Sequence, residues 1–545
     1  MHPAVPPSLA TPNLRQCRPS QAVKDDVRGL SVSIKHGRHV IAQAIACSLL
    51  LPVLSGCALP NLRQPEMGPD LPATFNGTTS SESSAQLGIE EFFHDPQLVV
   101  LIDQALVGNR ELKILDEEVQ IAKNEILARQ GAYLPFVTLG ASAGIEKASK
   151  FTPEGVVEDQ LEYQPGKHFP DPLPNFIGGF NIFWPLDIWR ELRNARDAAQ
   201  QRYCSARERR SYFVTRLVAE VAENYYSLVA LDKRLETLAK TIELQEASLK
   251  IAKAKQEAAR DTALPVQRFQ AEVRKNQSES LILKQQIIEI ENRINFLANR
   301  FPQPVARMSD GFYDLEIHAL SVGVPAQLLQ NRPDIRQAER ELEAAGLDVK
   351  VARAHFYPRV DITANVGYQA FNPQYLFLTP ESLIGGVAGN LVVPLINRKA
   401  IEAEYCSANA KQLQSVYNYQ RAILNAFTEV INRMSKVENY RNSIAIKKQQ
   451  LESLQASVDT ATKLFQNARA EYVEVLLAQR DLLEARTVLI ETKKEQLAAV
   501  VNAYQALGGG DFWASFDSAG FEFDAAAVSK SNTTMAVVQG ERSAR

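Results

Sequence analysis

Two stretches of the chain contain neither glycine nor proline: Glu191 to Arg260, and Asn397 to Leu507, about 110 residues. All 26 glycines and 27 prolines of the 545-residue chain lie elsewhere. These are the two strongest helix breakers, so their exclusion predicts helices far longer than a globular domain normally holds. Within and beside the stretches, apolar residues recur at steps of three and four. Leu235, Leu238, Ile242, Leu249 and Ala252 do so with Gln245 in the series, as do Leu283, Ile287, Ile290, Ile294 and Leu297, and Leu451, Leu454, Val458, Ala461 and Phe465. This is coiled-coil spacing. A helix of about 70 residues would run roughly 100 Å at 1.5 Å per residue. In the first stretch, Ala258 to Pro265 interrupts the rhythm and Asp261-Thr262 supplies a turn and cap. In the second, the rhythm stops at Phe465, and a fold-back is expected near Asn467–Tyr472, with a single unbroken helix as the competing reading.

The chain also repeats itself. Asn109 to Gly144 matches Arg332 to Gly367 at an offset of about 223 residues, and Trp184-Pro185-Leu186 has its counterpart in Val393-Pro394-Leu395. Inside each copy is an alternating run. Val137, Leu139, Ala141, Ala143 and Ile145 oppose Thr138, Gly140, Ser142, Gly144 and Glu146; Val360, Ile362, Ala364, Val366 and Tyr368 oppose Asp361, Thr363, Asn365, Gly367 and Gln369. Period two with one polar face predicts strands, and weaker partner strands follow at about Phe176–Trp184 and Leu383–Val393. Each run is roughly 10 residues, the length of a membrane β-strand. Four strands cannot close a barrel, and an open sheet edge in lipid leaves backbone groups unsatisfied. Either the strands form an ordinary soluble sheet, or several chains pool them.

The N-terminus reads as an address. Lys24, Arg28, Lys35 and Arg38 precede an apolar run from Val40 to Leu54, too short to span a bilayer as a helix. It ends in Leu54-Ser55-Gly56-Cys57, which resembles a lipobox. That resemblance implies cleavage before Cys57, acylation of Cys57 and a mature chain that begins there, with Ala58 rather than Asp favouring the outer membrane. The leader is long, and a start near Leu30 or Val32 is expected. The resulting division is a signal peptide over 1–56, a lipidated extended tether over 57–91, a first repeat over 92–322 and a second over 323–510. The first repeat holds a β-hairpin about 134–186 and a helical hairpin about 190–301; the second holds them about 357–395 and 397–507. The segment 511–545 loses periodicity and reads as a mostly disordered tail with a short ordered start at Phe512-Trp513. Cys17, Cys47, Cys57, Cys204 and Cys406 form no CxxC pair, and Cys204 and Cys406 stand alone on separate helices.

Taken in order, Trp184-Pro185-Leu186-Asp187, Asn331-Arg332-Pro333-Asp334-Ile335-Arg336, Phe356-Tyr357-Pro358, Val393-Pro394-Leu395 and Glu474-Val475-Leu476-Leu477-Ala478-Gln479-Arg480 make the chain resemble the TolC/OprM/NodT-like outer-membrane factors over about residues 92–510. The resemblance implies an α+β, mostly α fold. Four membrane strands per protomer would close a 12-stranded barrel in a homotrimer, and coiled-coil helices would form a periplasmic α-barrel. It implies a passive efflux conduit in the outer membrane, docked to a periplasmic adaptor and an inner-membrane pump, expected to be of RND type. Acidic residues line the gate of relatives. Glu474 matches one such position, Leu477 sits where some carry a second acid, and Pro265 falls where an acid often lies; Arg268, Arg469 and Glu471 are alternative gate links. Arg260, Asp261, Thr262, Asn467 and Ala468 are the expected adaptor-contact tips.

Other classes fit less well. A net charge of -3 gives no reason to expect nucleic acid. No GxxxxGK[ST], HExxH or GxSxG motif is present, so no catalytic or metal-ligating set and no cofactor beyond the lipid are expected. His94, His318 and His355 read as ordinary surface or packing residues. Type I protein secretion and a non-channel periplasmic coiled-coil lipoprotein scaffold remain as alternatives. Matched membrane-length hairpins argue against the scaffold.

Overall fold

The computed structural model describes residues 59–75, 82–308, 311–315, 317, 321, 323–396, 398–467 and 469–509. The expected signal peptide, Cys57, Ala468 and the 511–545 tail lie outside the described residues.

The duplication is written in helix lengths. Helices α1 (Pro96–Gly108) and α2 (Arg110–Ala132) lead to strand β1 (Phe136–Glu146), and strand β2 (Leu173–Leu186) leads into α3 (Glu191–Glu257) and α4 (Ala263–Leu297). In the second copy, α5 (Pro333–Ala354), β3 (Arg359–Ala370) and β4 (Leu383–Val392) precede α6 (Lys399–Gln466) and α7 (Tyr472–Ala506). The long helices have 67 and 68 residues, their return helices 35 each, and the helices before the strands 23 and 22. One long helix of about 100 Å is therefore accompanied by a return helix over one half and a pre-strand helix over the other. The chain turns where the periodicity lapses, after Glu257 and after Gln466, so the unbroken second helix is ruled out. None of the described helices is long and apolar enough to cross a membrane.

The heptad positions face inward. Leu238, Ala252, Leu283, Ile294, Val458 and Phe465 are buried. Gln245 is fully buried too, but in a polar layer: Asn276 Nδ2 donates to its Oε1 at 2.8 Å, and nearby Gln479 Nε2 donates to Ser248 Oγ at 3.1 Å. Polar groups at such positions fix the register of packed helices. The main core gathers where α1, α3, α4 and α7 meet. There Tyr504 stacks on Phe92 at 4.0 Å, and the buried Tyr225 hydroxyl donates to Asp95 Oδ2 at 2.7 Å.

Two expectations need correction. The extended tether does not run to residue 91: a 3₁₀ turn occupies Ser84–Gln86, and a short helix, Ile89–Phe93, buries Phe92 and Phe93 in the core. What is described of the tether is extended but tied down. Arg63 N donates to Asn409 Oδ1 at 3.0 Å, Gln420 Nε2 donates to Glu66 O at 3.0 Å, and Phe75 stacks on Phe427 at 5.3 Å, all along α6. The first β-hairpin is also more than two strands and a loop. Between β1 and β2 lie a helix, Pro153–Gln160, and a small hairpin of Glu162–Gln164 with Lys167–His168. Thr152 caps that helix by accepting from Gly155 N, with Pro153 in its first turn.

The strands form one antiparallel sheet in the order β1-β2-β3-β4, so the two copies meet at the β2–β3 pairing. There Gly179 faces Gly367 so closely that a Cβ on Gly179 would stand 2.5 Å from Val366 O and 2.6 Å from the Gly367 Cα. β1 and β4 are the outer strands, each with no strand partner on its far side among the described residues.

Candidate channel wall and helical tips

In this single chain every residue of β1 is exposed, on both faces. Val137, Leu139 and Ile145 stand 55%, 73% and 73% exposed, and Val387 and Leu391 on β4 stand 81% and 65%. The register lines these up. Leu139 opposes Phe180, which opposes Val366; Ile182 opposes Ala364, which opposes Val387. The other face carries Thr138, Asn181 and Asn365 in one row, and Gln369 Nε2 donates to Asn175 Oδ1 at 2.9 Å. One apolar and one polar face, both uncovered, is the arrangement of a membrane wall with lipid outside and water inside.

Aromatic side chains bracket this band. At the helical end, Trp184 Nε1 donates to Tyr133 O at 3.2 Å, Trp189 Nε1 donates to Pro358 O at 2.8 Å, and Trp189 stacks on Tyr357 at 4.8 Å. At the loop end, Tyr163, Phe169, Phe371 and Tyr375 cluster with centroids 4.9 to 6.3 Å apart. Paired girdles mark the two interfaces of a membrane barrel. The sequence contained these residues, but only the pairing of strands collects them at two levels.

Below the sheet, the ends of three helices are knotted by a histidine. His355, at the C-terminal end of α5, places Nε2 3.3 Å from Glu191 Oε1 and Nδ1 2.9 Å from Glu404 Oε2. It is half-buried between two carboxylates, a charged clamp rather than the ordinary surface or packing residue expected. The Glu191 carboxylate, against some desolvation and with help from Glu404, pushes its pKa up to about 9. A raised folded-state pKa means the clamp is fully present below the unfolded value near 6.5 and is lost as pH rises through about 9. His355→Gln is expected to lose about 1–2 kcal/mol of stability at pH 6, allowing for solvent screening, and almost nothing at pH 10. Thermal melts of both proteins across that range check it.

At the far end of the helices the two hairpin tips touch. Arg260, Asp261 and Thr262 form the first turn, with Ala259 at φ +53° and Asp261 Oδ1 accepting from Thr262 N at 2.8 Å. Thr262 holds the N-cap position without making the side-chain cap expected of it. Asn467 closes the second, its Nδ2 donating to Lys463 O at 2.8 Å. Two residues not foreseen join them: Lys255 Nζ donates to Phe465 O at 2.7 Å and lies 3.6 Å from the Phe465 ring centre. A lysine on a last-turn carbonyl satisfies a group the helix leaves unpaired. Beneath this link Ala252, Phe269, Phe465, Val475 and Leu476 form a local core. Pro265 is buried beside the turn. Arg268, Arg469, Glu471, Glu474 and Leu477 are all exposed. Glu474 and Leu477, three apart, share the outer face of α7 while Val475, Leu476, Ala478 and Gln479 turn inward. Cys204 and Cys406 are free thiols.

The sequence profile of the outer membrane efflux protein family matches residues 101–300 and 324–509, one segment in each repeat. The chain belongs to this family. It is 26% identical over 469 residues to the cation efflux system protein CusC of Escherichia coli (strain K12), covering 84% of this chain and 97% of that one. It is 26% identical over 470 residues to the solvent efflux pump outer membrane protein SrpC of Pseudomonas putida, covering 84% and 96%. The probable outer membrane lipoprotein SilC of Salmonella typhimurium is 24% identical over 465 residues, covering 84% and 96%. Solved structures share the fold: the outer-membrane channel OprN superposes with a TM-score of 0.73 at 24% identity, over 83% of this chain and 99% of that one. The open MtrE channel of Neisseria gonorrhoeae superposes with a TM-score of 0.70 at 20% identity, over 83% and 98%. This outer membrane efflux protein is thus the outer-membrane channel component of an efflux system. Its relatives are channels rather than enzymes.

Proposed function

We propose that three copies pool their sheets into one twelve-stranded barrel, continued by the coiled-coil helices as a hollow periplasmic conduit. The observation that carries this is the uncovered sheet, whose outer strands lack partners and whose faces divide into apolar and polar. Twelve strands are an even number within the range of membrane barrels, and closure removes the unpaired edges. Cys57 would carry the lipid that holds the mature N-terminus to the membrane, and the tether along α6 would lead from that anchor into the body. A periplasmic adaptor would meet the tips at Arg260, Asp261, Thr262, Asn467 and Ala468 and hand over cargo from an inner-membrane pump of the RND type. The relatives' cargoes named above, cations and solvents, favour small solutes over secreted protein. The conduit itself would bind no cofactor and hydrolyse nothing.

Native mass from outer-membrane extracts in mild detergent tests the assembly. Three lipidated chains are expected, with the excess per chain reporting acylation; a monomer stable across detergents would refute the pooled barrel. Glu474, on the exposed face of the second tip, would form a ring of three carboxylates at the aperture. Such rings favour cations. Glu474→Gln is expected to lower the cation-to-anion permeability ratio of the channel in planar bilayers by about two- to fivefold at low salt, less at high salt. An unchanged ratio would place the carboxylate away from the ion path.

A further inference from the structure

The apolar face of the sheet is not smooth. In the half nearer the loops it holds a recess of about 1000 Å³. The register explains its shape. The row Leu139–Phe180–Val366 stands tall, whereas the next row toward the loops begins with two small residues, Ala141 and Gly178. Phe176, opposite Ala143, rises again beyond them. Tyr368 and Leu383 finish the small row on its far side. The loop between β3 and β4 folds back over that side. Phe377 meets the Tyr368 ring edge-on at 5.9 Å, and the Tyr368 hydroxyl lies 3.1 Å from Thr379 Oγ1. Ser382 Oγ donates to Tyr375 O at 2.6 Å and ties the two ends of this loop together. Phe377 is nevertheless 76% exposed. The result is a slot with tall side walls and one overhang, rather than a flat patch.

In the proposed barrel no partner copy fills this slot. Partners join at the strand edges, in the plane of the sheet, and leave its faces uncovered. The slot lies between the two aromatic levels, hence at the depth of hydrocarbon. Its volume is that of a small-molecule pocket, and its side chains are almost all apolar. The lipid expected on Cys57 belongs elsewhere. Leu59, two residues on, packs with Leu62 against Phe356 and Tyr405 at the helical end of the sheet. Acyl groups on Cys57 would therefore enter the periplasmic leaflet, whereas the slot opens to the exterior one.

We propose that the slot is a lipid site, in which an acyl chain of an exterior-leaflet glycolipid lies on Ala141 and Gly178 and beneath Phe377. The inference rests on the pooled-barrel reading, which puts this face in lipid. Gly178 makes the room: a Cβ there would meet nothing nearer than the Ala141 Cβ at 3.9 Å. Gly179, one residue on and on the opposite face, is instead closed off by the facing backbone. One glycine lets two strands approach, and the other leaves a floor for a ligand. The seated chain would brace the β3–β4 loop against the wall.

The test extracts the full-length protein from outer membranes in mild detergent and reads assembly and retained lipid together by native mass spectrometry. The expected result is a three-chain assembly that keeps exterior-leaflet glycolipid beyond its covalent acyl groups. Gly178→Leu fills the floor without touching the strand pairing and should cut that retention about tenfold, the effect of unseating about two methylenes. Gly389→Leu adds the same bulk to the same face outside the slot, where its Cβ also meets open space, and should retain glycolipid as the parent does. If Gly178→Leu fails to assemble, Phe377→Ala removes the overhang from an exposed loop and should lower retention in the same sense. An intact three-chain assembly with no glycolipid would overturn the site alone. So would retention of phospholipid only, or retention indifferent to the slot variants. A monomer would remove the pooled barrel, and the site with it.

Discussion

Arg332→Ala is expected to destabilise the chain by about 3 kcal/mol, the low end for removing one member of a buried ion pair. Arg332 is 4% exposed. Its Nε and Nη2 fork onto Asp334 at 3.0 and 2.8 Å, and its Nη1 donates to Glu429 at 3.0 Å and to Ala506 O at 2.8 Å. One guanidinium thus ties the start of α5 to the middle of α6 and the last turn of α7. Truncation leaves two carboxylates facing each other and an unpaired helix-end carbonyl in the same space. Asp334 and Glu429 keep some solvent, which holds the cost below the upper end of that range. Arg332→Lys retains the charge but cannot serve three acceptors with a planar fork, so it should fall between the two proteins. Urea unfolding and the yield of assembled protein from membranes check both. Equal stability of all three would show that Asp334 and Glu429 find other partners.

The second large effect is expected at Gly179→Val. The β2–β3 pairing is where the two repeats meet, and the Gly179 Cβ position is already filled by the backbone of the facing strand, 2.5 Å from Val366 O. Backbone cannot swing aside as a side chain can, so the strands must part or slip. A one-residue slip would reverse the apolar and polar faces. The cost is at least about 1–3 kcal/mol per chain, the usual range for overpacking, and it falls on the step that builds the wall. Folded, membrane-inserted protein should drop severely, read as loss of protease-resistant barrel. Gly389→Val, with open space at its Cβ position, is the control and should insert normally.

Much of this architecture was legible in the sequence. The long helices announced themselves through excluded glycine and proline, because the breakers act locally and need no partner. The fold-back after Gln466 showed as an interrupted heptad for the same reason. Alternation in β1 and β3 was visible because uncovered strands must keep one face for lipid and one for water. What escaped notice depends on distant contact. Arg332 stood out only within a family-like motif, since its acceptors Glu429 and Ala506 lie 97 and 174 residues away. His355 looked idle because its carboxylates belong to two other helices. Lys255 is one lysine among many until the fold sets it on the Phe465 carbonyl. The insert between β1 and β2 was hidden in a stretch rich in proline and glycine, where a capped two-turn helix gives too little periodicity to notice.

A wall assembled from incomplete sheets makes faults contagious. In the proposed three-chain barrel each outer strand must be satisfied by a neighbouring copy, so a chain with a damaged β1 or β4 would leave an intact partner with an open seam in lipid. In a three-chain barrel, a cell making equal amounts of sound and edge-damaged copies would assemble only about one channel in eight entirely from sound chains. Edge-strand alleles should therefore be dominant, and tip alleles, which leave the seams intact, should be diluted in proportion to their dose.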